Sequence, residues 1–207
     1  LGGITLLCKF DGQRVTMASQ IAGADETVSS LYSVKSEQAT MLSFDTYNYL
    51  VHYFGQPQGS MADDPNGTLG GDYEFVISDA TADRIELKGK KYGNRIVMKA
   101  FSADQTWKQY LTRIKKVEDD AFFYEYDLRM DGLYTGQMLR SNYTFIVTYY
   151  DEVGKVYQKT VPFMFTTDGM RFHEPVTIDG QTMQNFVWKN EEISFVCTDE
   201  GATGVKM

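Results

Sequence analysis

Two histidines, two cysteines and 28 acidic residues supply this 207-residue chain with its potential bases, nucleophiles and metal ligands. Their spacing matches no catalytic signature. His173-Glu174 begins like a helical zinc motif, but Pro175 follows and no second histidine stands four residues on, so His52 and His173 would furnish at most half of a metal site. Either histidine has the chemistry of a base in a serine triad, yet no nucleophile is marked by a strained turn or a G-x-S-x-G elbow, and both are read as structural or surface residues. No phosphate-cradling glycine loop is present. Two carboxylates suffice for glycoside hydrolysis, but Glu74, Glu86 and Glu125 fall at outward positions of alternating runs, where solvated acids belong. The expectation is a protein that is not an enzyme, without metal or cofactor, and hydrolase is kept only as an alternative.

Two clusters suit binding better than reaction. Leu42 to Gly55 holds five aromatics and His52 in fourteen residues. Asp45 fits an N-cap there, and Tyr47, Leu50, Val51 and Phe54 recur at i, i+3, i+4 and i+7. The spacing predicts a short amphipathic helix near 46–54 whose inner face is core, with Tyr49, His52 and Tyr53 projecting outward as candidate ligand contacts. The second cluster is Lys88-Gly-Lys-Lys-Tyr-Gly-Asn-Arg95, a hairpin tip on which Lys90 and Lys91 are the candidate contacts for an anionic group. Asp63, Asp64, Asn66 and Asp72 are hard oxygen donors in a Gly/Pro-rich loop, but their spacing departs from the EF-hand pattern and the loop reads as a connector.

The elements that must hold these clusters are mostly strands. Runs such as Tyr73–Ile77, Arg84–Lys88, Arg95–Lys99 and Tyr143–Tyr149 alternate with period two. Asp11-Gly12, Asp131-Gly132, Asp168-Gly169 and Asp179-Gly180 punctuate them in the manner of tight hairpins. Ten to twelve strands joined by short turns predict a mainly β fold of antiparallel meander sheets, curled or closed like a lipocalin barrel. Lys9–Val15 echoes Tyr149–Val156, and Met41–Asp45 echoes Gly169–His173, which raises the expectation of two repeated halves. Ser102 to Val117 breaks the pattern. Trp107, Tyr110, Leu111, Ile114 and Val117 share a helical face, and Ser102 with Gln105 fits a capping box. The organisation expected is an N-terminal β region over residues 1–101, a connecting helix over 102–120 and a C-terminal β region over 121–207, packed as one compact unit.

Hydrophobic residues make up 43% and aromatics 14% of the chain, ample for a core. The formal net charge of −8 repels phosphate backbones, and no Lys/Arg stripe counters it, so nucleic acid is excluded as a partner. Cys8 and Cys197 fall on the apolar side of alternating runs and read as buried thiols, with a bridge between them as the alternative. The chain opens on Leu1-Gly-Gly-Ile4 without an initiator Met, and a preceding segment holding a signal peptide is expected.

Leu7–Gly12, Ser30–Ser36, Leu42–Asn48 with Leu50 and His52–Phe54, Gly71–Ile77, Leu87–Lys91 and Asp168–Pro175 together resemble the domain of unknown function 4302, lipoproteins of Bacteroides-type gut bacteria. The resemblance implies a secreted precursor whose lipid-bearing cysteine lies upstream of Leu1, anchored in the outer membrane and touching the membrane only through that anchor. It also implies neighbours among outer-membrane proteins that import glycans. The family has no agreed catalytic residues. The function expected is a non-catalytic cell-envelope lipoprotein that binds a glycan or peptide for nutrient uptake. A structural or interaction subunit of an outer-membrane complex is the alternative.

Overall fold

The computed structural model describes residues 2–36, 38–57, 69–151 and 153–207, and they form a mainly β protein. Contacts divide the chain into two compact units, one of Leu6–Trp107 and one of Leu1–Thr5 with Lys108–Met207. Fifteen strands lie among the described residues, more than the alternation alone suggests. The excess includes short strands such as β14 (Ser194–Cys197) and β15 (Val205–Lys206), too brief to show a period.

The first unit is a seven-stranded antiparallel meander. Its strands are β1 (Leu6–Asp11), β2 (Arg14–Ser19), β3 (Val28–Ser36), β4 (Thr40–Phe44), β5 (Glu74–Ala80), β6 (Arg84–Gly89) and β7 (Arg95–Lys99), each paired with its neighbour in sequence. Val15, Met17, Leu42, Phe44, Phe75 and Leu87 supply its buried face. Helix α1 (Tyr49–His52), continued by a 3₁₀ turn over Tyr53–Gly55, lays Leu50 and Val51 on that face. Sheet alternation builds one wall of this core and the helix supplies the other.

In the second unit, eight antiparallel strands close into a barrel. They are β8 (Glu125–Met130), β9 (Leu133–Ser141), β10 (Thr144–Tyr150), β11 (Val156–Phe165), β12 (Gly169–Ile178), β13 (Gln181–Lys189), β14 and β15. Phe145, Phe163, Phe165, Phe172, Phe195, Leu128 and Met138 fill its interior, so it is packed rather than hollow. Asp131-Gly132 and Asp179-Gly180 both take positive φ at each residue, the geometry of a two-residue hairpin turn. Gly169 does not. It starts β12, and a Cβ there would meet the Phe186 carbonyl at 1.9 Å.

The second helix, α2, runs Trp107–Asp120 and starts five residues after Ser102, the expected cap. Ser102 and Gln105 lie before it in irregular chain. Its buried Ile114 and Val117, with Ala121 just beyond, join the barrel core. Contacts group the helix from Lys108 onward with the second unit, and the residues up to Trp107 with the first. Leu1–Thr5 also sits with the barrel, Gly3 N–H donating to Phe163 O at 2.9 Å. The two halves share the meander, but the paired echoes are spaced differently: β4 is separated from the β1–β2 hairpin by β3, whereas β12 follows the β10–β11 hairpin directly.

Both cysteines are free, Cys8 half-buried and Cys197 buried. Desolvation pushes their pKa values up to about 12 and about 11, so each stays a protonated thiol at neutral pH. No helix among the described residues is long and apolar enough to cross a membrane.

Candidate functional site

Asn48 sets the site by starting α1. Its side-chain oxygen accepts the Leu50 N–H at 3.1 Å and its amide donates to Ser30 Oγ at 3.2 Å, tying the helix start to β3. Asp45, the expected cap, instead accepts from Ser43 Oγ at 2.7 Å and from Lys35 Nζ at 3.3 Å. The difference is one of length. Only Tyr49–His52 is α-helical, so Tyr47 precedes the cap and escapes the helical phase; it is 64% exposed, not core. Phe54 falls in the 3₁₀ turn, whose tighter winding carries it off the buried face to a half-buried position.

His52 is the centre of an aromatic stack. Its ring lies parallel to Tyr73 at 4.9 Å and tilted against Tyr47 at 5.5 Å. Its Nδ1 sits 3.2 Å from the Asn48 N and 3.0 Å from Asn48 O, so the helix start holds the ring in either tautomer. Gln56 donates to the Tyr47 hydroxyl at 2.7 Å. Tyr73 is 44% exposed, so two of the three rings offer open area. Tyr53, also exposed, stands edge-on to Phe54 at 5.2 Å.

Tyr49 does not share this surface. Its hydroxyl donates to Glu26, which with partial burial pushes its pKa up to about 12, and its ring packs on the core of the unit. Tyr73 was not singled out in the sequence, where it reads as the first residue of an alternating strand. The signal available was Gly70-Gly71 just before it, a place where backbone comes close to another element: Gly71 N–H donates to Phe54 O at 2.9 Å.

Asp72 couples the stack to the basic hairpin. One carboxylate oxygen accepts from the N–H groups of Lys91 (2.7 Å) and Tyr92 (3.0 Å), the other from Asn94 N–H (3.1 Å) and Asn94 Nδ2 (2.7 Å). Burial works to raise its pKa, but these four donors outweigh it and hold the carboxyl below its ordinary value. Gly89 is required beneath it, since a Cβ would lie 1.8 Å from Asp72 Oδ2. The carboxylate read as a possible calcium donor is thus a turn organiser. Asp63, Asp64 and Asn66 lie outside the described residues.

The hairpin is less basic than its sequence. Lys90 pairs with Glu74 at 3.3 Å, Arg95 and Arg84 both pair with Glu86 at 3.6 and 2.6 Å, and Lys91 lies 4.7 Å over the Tyr92 ring. Glu125, on the barrel, accepts from Gln137. The three outward acids are therefore matched by neighbours on their own sheets. Among the described residues no group of three or more His, Cys, Asp or Glu is placed to hold a metal ion. His173 is exposed on β12.

A seven-stranded meander and a closed, filled barrel, with an aromatic stack on the former, make this a mainly β protein. The chain belongs to the domain of unknown function family DUF4302, whose model matches residues 1–190. Neither a curated protein nor a solved structure matches it.

Proposed function

We propose that the protein is a non-catalytic lipoprotein of the cell envelope that binds a glycan for uptake through the Tyr47–His52–Tyr73 surface. The observation that carries this reading is the stack itself: three rings in contact, two of them open to solvent, held by Asn48 and by the Asp72 hairpin. Flat aromatic area edged by tyrosine hydroxyls suits a sugar ring, whose apolar C–H face packs on the π surface while its hydroxyls reach the rim. Tyr53, Lys90 and Lys91 belong to the same unit and are candidate rim contacts. The His52 ring is held by backbone groups and neighbouring rings, an arrangement suited to binding more than to proton transfer. The envelope address is supported by the resemblance read from the sequence.

The test is a soluble glycan array followed by titration calorimetry on the wild-type chain and on Tyr47→Ala/Tyr73→Ala. Loss of about tenfold in affinity per ring, with unchanged circular dichroism, is expected. A wild-type chain that binds no glycan, or a double variant that binds equally well, ends the assignment. The address is tested by labelling the full precursor with radioactive palmitate. Label in the outer-membrane fraction is expected, and an unlabelled soluble product overturns it.

A further inference from the structure

The barrel has a seam. The β11–β12 ladder carries three register pairs, Phe163–Phe172, Met164–Arg171 and Phe165–Met170, beside the Thr166 N–H to Gly169 O bond of 2.9 Å. Antiparallel rungs recur at every second residue. Counting outward from Thr166–Gly169, the next rungs fall at Met164–Arg171, then Pro162–His173, then Thr160–Pro175. Proline has no N–H, and each of the last two rungs meets one. The ladder stops there, and β12 shifts register against β13 between Arg171 and Val176. Where the strands part lies a groove of about 350 Å³ lined by Lys159, Thr160, Val161, Pro162, His173, Glu174 and Val176.

The edge left on β11 has a defined polarity. Phe163 N–H donates to Tyr143 O at one end of the β10–β11 ladder, and Asp151 N–H donates to Lys155 O at the other. By alternation, Tyr157, Lys159 and Val161 turn their backbone groups to β10. Gln158, Thr160 and Pro162 turn theirs to the seam, which presents two N–H groups and three carbonyls at strand spacing. A side-chain bond spans the gap, Lys159 Nζ donating to Thr177 O at 2.9 Å.

We infer that this seam is a receptor for an extended segment of a partner polypeptide, which adds as a strand along Gln158–Pro162 and carries an acidic side chain opposite Lys159. The backbone edge calls for an extended chain, because only a strand supplies donors and acceptors alternating at about 6.8 Å. The acid follows from Lys159. An incoming N–H that takes Thr177 O displaces the ammonium, which then needs an anionic acceptor. Val176, only partly buried, offers apolar contact to the residues beside that acid. The inference stands apart from the aromatic site, since it rests on the second unit alone.

A phage-displayed library of random twelve-residue peptides, selected on the intact chain, tests it. Enriched peptides are expected to share an Asp or Glu and to slow amide exchange at Gln158 and Thr160. N-methylation of a bound peptide at the amides that face Gln158–Pro162 is expected to abolish binding, whereas methylation at the intervening amides, which face β12, costs at most the single bond to Thr177 O. Thr160→Pro removes one edge donor without touching a β10 rung, and is expected to weaken binding about tenfold. Should that variant misfold, the methylation pattern still decides. Failure to enrich any peptide, binding indifferent to which amides are methylated, or unchanged exchange at Gln158 and Thr160 overturns the inference.

Discussion

Two aspartates, Asp72 buried and Asp199 half-buried, do similar work in the two units. Asp72 gathers three backbone N–H groups and the Asn94 amide under the β6–β7 hairpin. Asp199 accepts from the Gln184 and Asn185 backbones, the Asn185 side chain and Cys197 Sγ, fastening the β14–β15 connection to β13. Asp72 serves N–H groups of a turn and Asp199 serves N–H groups of strand β13, and a carboxylate is the short acceptor that takes several at once. Asp72→Ala therefore leaves three backbone donors unmatched, and a cost of about 3 kcal/mol is expected. Native-state hydrogen exchange checks it: protection of the Lys91, Tyr92 and Asn94 amides should fall by about a hundredfold. Unchanged protection would show that Asp72 merely decorates the hairpin. The chemistry of Asp72 was legible as an oxygen donor, but its partners are twenty or so residues away in sequence, and register alone brings them to it.

At the scale of elements, α2 and α1 contrast. The period of α2 is carried by Leu111, Ile114 and Val117, all buried, and the fourteen-residue length lets the pattern speak. Arg140 secures its end: the guanidinium, 8% exposed, lies 3.5 Å from Glu118 and 5.0 Å over Phe165, while the Tyr143 hydroxyl donates to Glu118 at 2.9 Å. Ile114→Ala opens a cavity in a fully buried site and should destabilise the chain by about 2–5 kcal/mol in urea unfolding. A loss below about 1 kcal/mol would mean that the helix does not seal the barrel core. In α1, four helical residues give too short a window to set a phase, so Leu50 and Val51 were placed correctly and Tyr47 was not. The start of α2 was misplaced for a related reason. A capping pattern marks where a helix is able to begin, and packing on the barrel selects where it does.

Over the whole molecule, carboxylates held by hydrogen bonds tie the stability of the fold to pH. Asp72 and Asp199 both titrate below their ordinary values, burial opposing and hydrogen bonds prevailing. The unfolded chain therefore binds protons more readily at these sites than the folded one. Their stabilisation is fully present above the unfolded carboxylate pKa of about 3.9 and disappears as pH falls through the lower native values. Unfolding free energy measured in urea should be level near neutrality and drop below about pH 4, and the drop should be shallower in Asp72→Asn/Asp199→Asn. An identical acid limb in that variant would remove the two carboxylates as its cause.

Strand alternation, Asp-Gly turns, an amphipathic helix after residue 100 and an apolar segment near residue 50 are local patterns, written within a few residues of one another, and the chain displays them before it folds. A mainly β meander follows from these because neighbouring strands joined by short turns have few other ways to pair. Closure of one sheet and not the other, the Tyr47–His52–Tyr73 stack, and the parting of β11 from β12 all depend on which distant residues meet. Pro162 and Pro175 are visible in the sequence, but only the register that sets them on successive rungs of one ladder turns two ordinary prolines into an opening.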